Sequence, residues 1–383
     1  MEANYRLSDK EYEDLSFEYE QNPPKLSGKP GFLTVMRQRT QWGGHMLRAC
    51  VIGMGPIGNN HAQIYKSLPN VALAAVCDRL PDRAEAGGRD YGVPSYLDAQ
   101  KMLDAERPDI VSIATGGFEY SSDHYEPAIQ ALEAGAHVLC EKPISNDIGL
   151  GQRMVDTAKR LNRCFAVDLN HRFTPAARAA KKWQDDGRIG DLLFCNMALW
   201  IGKFMPLDSV YYHLKALNPH SIDIMRYFMG DVDEVFCYAM KAPGRDIYST
   251  ASVNMRFANG AVGHLTSSYD IKRGHPMERC EVAGAKGRLV FEDMWREAVL
   301  YPADSWIKEV YTNPVFEGFS GFFDTFRDRI KTFVDQIDAG ARPDEIDGSG
   351  EAGLEASRVI HAAIRSLDTR LPVKVRDITD GVR

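Results

Sequence analysis

The chain reads as an α/β protein, with an N-terminal doubly wound parallel sheet followed by an α+β half built on an open mixed or antiparallel sheet. Three observations predict this. From Met46 onward, short apolar runs of strand length alternate with helical segments, as a parallel sheet with crossover helices requires. The first run ends in a glycine-rich turn, Gly53-Met54-Gly55-Pro56-Ile57-Gly58, that opens a helix. After about residue 170 the apolar runs lengthen and partly alternate, as half-buried antiparallel strands do.

Taken in order, residues 1–45 stand apart. Six acids and one base lie between Asp9 and Glu20, interleaved with Tyr12, Phe17 and Tyr19, before Asn22-Pro23-Pro24 breaks any helix. Two readings stay open: a partly disordered tail, or an arm that docks through its aromatics on the catalytic domain or a neighbouring subunit. Residues 47–52, 71–77, 110–114, 136–140 and 165–167 read as buried parallel strands, with helices such as 123–134 and 148–161 between them. Residues 192–201, 234–240, 249–257, 261–269 and 279–283 read as the longer strands, and Asn259-Gly260 marks a hairpin turn between two of them. Helices at about 322–339 and 350–367 close the chain. The expected division is an extension (1–45), a nucleotide domain (46–169) and an α+β domain (170–383), with the active site in the cleft between the last two.

Bulk properties narrow the function. A length of 383 residues makes two domains the default, and 44% hydrophobic residues supply a sizeable core. The net charge of −7 excludes a general nucleic-acid binder, which needs a basic excess against phosphates. No apolar segment approaches membrane-spanning length, and the N-terminus lacks a signal-peptide pattern, so a cytoplasmic protein without membrane partners is expected. The seven cysteines show no ligand spacing, so no metal is expected. Cys50, Cys77, Cys140 and Cys237 fall in apolar runs, as small buried hydrophobes of a reducing compartment do.

The glycine turn carries specific chemistry. Gly53 permits the tight turn, Gly55 lets the backbone approach a pyrophosphate, and Gly58 lets the helix pack on the strand. The pyrophosphate then lies on the helix N-terminus, over Pro56 and Ile57, where free N–H groups favour an anion. Asp78 follows Gly58 by 20 residues at the end of the second apolar run, placed to accept hydrogen bonds from an adenosine ribose. NAD is therefore the expected cofactor, and Arg79 leaves NADP open.

Further along come Cys140-Glu141-Lys142-Pro143, then Asn170-His171-Arg172-Phe173-Thr174-Pro175, Gly187-Arg188-Ile189-Gly190 and His220-Ser221-Ile222-Asp223. This order after a Rossmann fingerprint resembles the Gfo/Idh/MocA family of sugar and cyclitol oxidoreductases, over residues 46 to about 375. The resemblance implies a pyridine-nucleotide dehydrogenase acting on a secondary alcohol of a sugar, glycoside or inositol-like ring. It also implies an open mixed sheet in the second domain that packs against other subunits, hence a homodimer or homotetramer. By the same resemblance Lys142 hydrogen-bonds the reacting hydroxyl and His220 is the general acid/base. Glu141 lies near the nicotinamide ribose, Thr115 and Gly116 near the middle of the cofactor, and His124 on the helix after that loop. Arg172 sits near the nicotinamide end of the cleft, and Asp223 touches a substrate hydroxyl. For Arg172 a domain-boundary salt bridge is the competing reading. The Lys142–Pro143 bond is expected to be cis.

One position departs from the family pattern. Many members place an aspartate four residues before the histidine, and here that position is Ala216. Asp208 is the nearest acid in sequence, well upstream. Tyr211, Tyr212, His213 and Lys215 are alternative polar contributors to substrate binding. Asn218-Pro219 reads as an N-cap and first helical residue, which puts His220 in a helix's first turn, where the dipole and Lys215 disfavour the imidazolium. Three functions stay open: an NAD-dependent dehydrogenase, an enzyme that retains NAD for glycoside cleavage or epimerisation, and a non-catalytic nucleotide- or sugar-binding regulator.

Overall fold

A computed structural model describes residues 46–117, 123–202, 209–271, 277–314, 318–319 and 321–379. Both readings of residues 1–45, and Asp208, fall outside the described residues.

Six parallel strands form the first sheet among the described residues: β1 (Leu47–Ile52), β2 (Val71–Cys77), β3 (Ser95–Tyr96), β4 (Ile110–Ile113), β5 (His137–Cys140) and β6 (Phe165–Val167). Their order is β3-β2-β1-β4-β5-β6. The crossovers carry α1 (Pro56–Ser67), α2 (Pro81–Tyr91), α3 (Ala99–Glu106), α4 (Tyr125–Glu133) and α5 (Ile148–Arg160). Strand order reverses between β1 and β4, so their C-terminal ends flank the crevice where open α/β sheets bind ligands. The strands read as unbroken apolar runs because both faces are covered. Ile52, Ile113 and Val138 pack with Leu132 and Met154 on one side, while Val51, Ile110 and Leu139 pack with Tyr65 on the other.

The second half comprises α6 (Pro175–Asp185), β7 (Leu192–Trp200), α7 (Tyr212–Met229), β8 (Val232–Met240), β9 (Thr250–Phe257), β10 (Val262–Ser268) and β11 (Glu278–Gly284). It continues with β12 (Gly287–Glu292), β13 (Glu297–Pro302), β14 (Glu309–Thr312), α8 (Asp324–Asp338), α9 (Gly350–Thr369) and β15 (Val373–Lys374). These strands form one sheet in the order β14-β13-β12-β11-β7-β10-β9-β8-β15. Neighbours are antiparallel except β7 and β10, so the sheet is mixed. The Asn259-Gly260 hairpin is present between β9 and β10, with Gly260 at φ 89°. Strands β12 to β14 were not legible as alternation, because each is only four to six residues long.

Alternation along the strands separates two faces. Cys237, Val253, Leu265, Met197, Cys280, Phe291 and Ala298 run across the sheet as one buried row in register. On the other face Tyr238, Met240 and Val262 are exposed. Helix α9 packs between α5, α7 and β8, tying the two halves together. Helix α8 returns to the first sheet, where Phe326, Ile330, Phe333 and Val334 share a buried cluster with Val51, Ile110 and Leu139. Each such side chain contributes about 1.5–3 kcal/mol on burial.

The helix expected to start at Asn218 begins at Tyr212 instead, and Pro219 lies inside it. Every residue of α7 except Arg226 and Tyr227 is buried. Packing on nearly all sides overrides the local cap-and-proline signal, which is a weak preference by comparison. His220 is therefore mid-helix, far from the N-terminal end of the dipole.

Candidate active site

At the cofactor end, β1 delivers Gly53 at φ 96°, and a Cβ there would sit 2.5 Å from the Ala114 carbonyl oxygen. A Cβ on Gly58 would sit 1.7 Å from the Gly53 carbonyl oxygen, so helix and turn meet with no room for a side chain. Gly55 differs: its nearest neighbour to such a Cβ is Arg83 Nη1 at 3.9 Å, so its outer face is open for a ligand. Gly55 is the N-cap of α1, Pro56 follows, and no side chain caps the helix. The first-turn N–H groups, including those of Ile57 and Gly58, thus lack intrahelical acceptors and suit a pyrophosphate. Asp78, at the end of β2, accepts from the Met54 N–H at 2.7 Å and the Leu80 N–H at 2.9 Å, which fixes its carboxylate beside the turn. Arg79 is exposed next to it. An open glycine, an uncapped helix start and an oriented acid fit an adenine dinucleotide.

Thr115 and Gly116 lie across the crevice, just past β4. His124 occupies the N-cap of α4 and not the helix proper. Its ring bridges two carbonyls, Nδ1 to Pro143 O at 2.7 Å and Nε2 to Thr115 O at 3.1 Å, and so ties the β4 loop to the β5 loop.

The β5 loop carries Glu141, Lys142 and Pro143, and the Lys142–Pro143 bond is cis, as expected. Lys142 Nζ donates to the Ala216 carbonyl on α7 at 3.1 Å. Pro219, inside the same helix, has no N–H for the Lys215 carbonyl, the neighbour of this acceptor. His220 follows and is buried, and burial pushes its imidazole well below the usual histidine range, with His171 and Lys142 adding to the effect. The low value matches the expectation from sequence, but the cause differs. The dipole is remote and Lys215 takes no part.

Lys215 faces a small pocket with Pro143, Ser145, Asn146, Ser357, Ile360 and His361. Burial, opposed by Asp147, lowers its ammonium pKa. The Arg172 guanidinium donates through Nε to Asp223 at 2.8 Å, makes a second bond to Asp223 through Nη2, and reaches Asp347 at 3.0 Å. Asp223 is buried and both its oxygens are taken by Arg172. The two residues are thus committed to each other, one from the turn after β6 and the other from α7. Tyr211 donates its hydroxyl to Asp368 and stacks on Tyr248. Tyr212 and His213 both pack on Tyr269. Burial, opposed by Asp270 and reinforced by Arg245, pushes the His213 pKa down to about 4. The structure brings Lys142 and His220 together, and leaves Tyr211 and Lys215 engaged elsewhere.

Two features escaped the sequence reading. His171 stacks on His220 with ring centroids 4.3 Å apart and 10° between planes, and its Nδ1 lies 3.0 Å from the fully buried carboxylate of Glu278 on β11. Behind Lys142, His61 Nε2 stands 3.2 Å from Glu141 and 3.3 Å from Asp168, while its Nδ1 pairs with Ser112 Oγ at 3.1 Å. Burial works against the His61 imidazolium, but Asp168 and Glu141 outweigh it and raise its pKa to about 9. Burial also opposes ionisation of Glu141, yet His61 outweighs it and lowers the carboxyl. Asp168 is left the less compensated of the two: burial and the Glu141 charge raise it to about 6. His61 had a signal, lying three residues after Gly58, and His171 lay within a quoted motif. Glu278 had none, because only tertiary folding brings β11 to this place.

Known proteins share this fold. Residues 47–169 match the oxidoreductase family with an NAD-binding Rossmann fold, GFO/IDH/MocA, and residues 177–290 match the GFO/IDH/MocA C-terminal domain. The chain is 28% identical to myo-inositol 2-dehydrogenase of Thermotoga maritima, over 87% of this chain and 99% of that protein. It is 26% identical to levoglucosan dehydrogenase of Pseudarthrobacter phenanthrenivorans, over 70% of this chain and 80% of that one. A solved levoglucosan dehydrogenase in complex with NADH superposes with a TM-score of 0.76 at 25% identity, covering 86% of this chain and 99% of the other. No helix among the described residues is long and apolar enough to cross a membrane. With both family domains matched in order along the fold and turn described above, the chain belongs to the Gfo/Idh/MocA oxidoreductase family and is an NAD-dependent dehydrogenase.

Proposed function

We propose that the protein oxidises a secondary hydroxyl of a sugar, glycoside or cyclitol to the ketone, reversibly, with NAD as hydride acceptor. The observation that carries this is the placement of the Lys142 ammonium on the same turn of α7 that leads into His220. Bound NAD supplies the redox step by taking the hydride. Lys142, a positioned cation, stabilises the negative charge that develops on the substrate oxygen. His220, held neutral by its surroundings, accepts the hydroxyl proton. Glu141, held ionised by His61, stands beside Lys142 at the nicotinamide end, with Thr115 and Gly116 along the middle of the cofactor. The relatives named for inositol and levoglucosan direct the substrate search toward polyhydroxylated rings.

The test is a spectrophotometric screen for NADH formation with inositols, glucosides and anhydrosugars. Net NADH formation on one of these supports the proposal, and none on any of them overturns it. The absence of a carboxylate at Ala216 favours a second reading, in which NAD stays bound and transient oxidation drives cleavage or epimerisation. Product formation without net NADH, together with copurified cofactor, supports that alternative. A division into a nucleotide domain (46–169) and a substrate and assembly domain (170–383) goes with either reading, as does a cytoplasmic location. We further propose a homodimer or homotetramer that covers the sheet face bearing Tyr238, Met240 and Val262. A monomer mass by light scattering at micromolar concentration overturns this.

A further inference from the structure

We propose that His171, held by Glu278, is a positioning residue that sets the orientation and charge state of His220 in place of the carboxylate absent at Ala216. This rests on the reading of His220 as the base. A catalytic histidine ordinarily has one ring nitrogen held in plane by an acid, which fixes its tautomer and direction. Among the described residues, His220 Nδ1 has no hydrogen-bond partner, and the residue one turn back is an alanine whose carbonyl serves Lys142. What the ring does have is a face. His171 lies flat against it at 4.3 Å and 10°.

His171 is itself fixed from three sides. It belongs to the 3-10 turn Asn170–Phe173, it meets the edge of Phe322 at a centroid distance of 6.2 Å, and its Nδ1 lies 3.0 Å from Glu278. Glu278 is fully buried, and its backbone is pinned by Asp293, which accepts from the Glu278 N–H and donates its own N–H to the Glu278 carbonyl. Burial pushes the His220 imidazole down, and His171, flat against its face with Glu278 behind, adds to that effect, so His220 rests neutral and can act as a base. Stacked rings cannot pass a proton from nitrogen to nitrogen in plane, so the coupling is electrostatic and steric and is not a relay.

The other charged groups around His220 are accounted for. Lys142 from the β5 loop acts in the same sense as His171. Glu141 on that loop is turned to His61. On α7 itself Lys215 lines the pocket with Ser145 and His361, and Asp223 is taken by Arg172, which comes from the same turn as His171. On β11, Glu278 stands behind His171.

Three variants separate charge from shape. His171→Phe keeps a flat ring against His220 and removes the imidazole. The acidic limb of its kcat/KM–pH profile should move up by about one pH unit, while turnover on the alkaline plateau stays within about threefold. Glu278→Gln keeps the shape beside His171 and removes the acid, and the limb should shift by less than in His171→Phe, because Glu278 acts on His220 only through the intervening ring. His171→Ala removes the ring altogether, and plateau turnover should fall more than tenfold as well. NAD titration of each variant reports whether the fold and cofactor site survive. If His171→Ala does not fold, the two conservative variants carry the test alone. An acidic limb unchanged in both His171→Phe and Glu278→Gln overturns the proposal. The His220→Ala variant distinguishes the two readings. If it keeps turnover, the base assignment fails. If it loses turnover while the limb of His171→Phe stays in place, the base assignment stands and the role of His171 falls.

Discussion

The two ends of the crevice are built in opposite ways. At the cofactor end, Gly53, Gly55 and Gly58 lie within six residues of one another, and Asp78 closes the site from the adjacent strand. At the end proposed for the chemistry, Lys142 comes from the β5 loop, His171 from the turn after β6, His220 from the middle of α7 and Glu278 from β11. The first is a local backbone shape, and its constraints are steric. The second is a tertiary assembly, whose constraints are charge and burial. A short motif can therefore specify the cofactor end completely, whereas the chemical end shows in sequence only as scattered residues whose roles depend on neighbours.

This contrast predicts where single changes act. The largest effect belongs to the local site. Gly58→Ala places a methyl group where only 1.7 Å separates it from the Gly53 carbonyl oxygen, so the turn must open. NAD binding by calorimetry should be lost, with stability falling by about 1–3 kcal/mol from overpacking. A variant that binds NAD normally breaks the claim that this end is fixed by backbone shape.

At the chemical end, His220→Ala should lower turnover by about 10²–10⁴-fold, the usual contribution of a general base, and leave NAD affinity near wild type. Retained turnover moves the base elsewhere, with His213 as the next candidate. A milder change probes the boundary between the two ends. Asp78→Ala should cost NAD efficiency about tenfold or more while changing NADP efficiency little, because the carboxylate accepts from the ribose and repels a 2′-phosphate. Equal losses with both cofactors would mean that Asp78 acts only through its bonds to Met54 and Leu80.

Legibility in the sequence follows the same division. Strands β1, β2 and β6 coincide with the apolar runs, since burial on both faces leaves an unbroken run with clear ends. Strands β12 to β14 are too short for alternation to register, and β15 is two residues long. Helix α7 shows why local signals fail where packing is dense. Asn218-Pro219 has the form of a helix start, yet burial on nearly every side carries the helix through it. At the site, Lys142 and His220, the pair proposed for the chemistry, stand in a recognisable order along the chain. Arg172 and Asp223 were legible as residues but not as partners, because their ion pair closes across the fold. Glu278 was silent, as an acid in a strand is normally solvent-facing and nothing nearby marks this one as buried.

The smallest expected effect concerns stability, and it tests whether the chemical end depends on buried charge. His61 serves two carboxylates, Glu141 and Asp168, and its pKa is raised to about 9 from the ordinary histidine value of 6.5. A raised histidine stabilises the fold fully below the unfolded value, and that contribution is lost as pH rises through the folded one. Asp168, raised to about 6, acts in the same direction at lower pH, since the folded state holds its proton more tightly than the unfolded chain. Glu141 is lowered and acts oppositely, its contribution disappearing as pH falls through the carboxylate range. The melting temperature should therefore decline between about pH 6.5 and pH 9, with the His61 share on the order of a few kcal/mol. In His61→Gln the protein should be less stable at pH 6.5, and the profile across that window should change shape, because the histidine proton is gone and Asp168, no longer held down by His61, keeps its proton to a higher pH. Where His61→Gln proves too unstable to purify, Asp168→Asn serves instead. It removes one of the two acids holding the imidazolium, so the decline should end at a lower pH than in the wild type. A melting profile with the wild-type slope in both variants would show that the cluster holds its shape without the shared proton, and that the charge behind Lys142 is not what distinguishes this end of the crevice from the other.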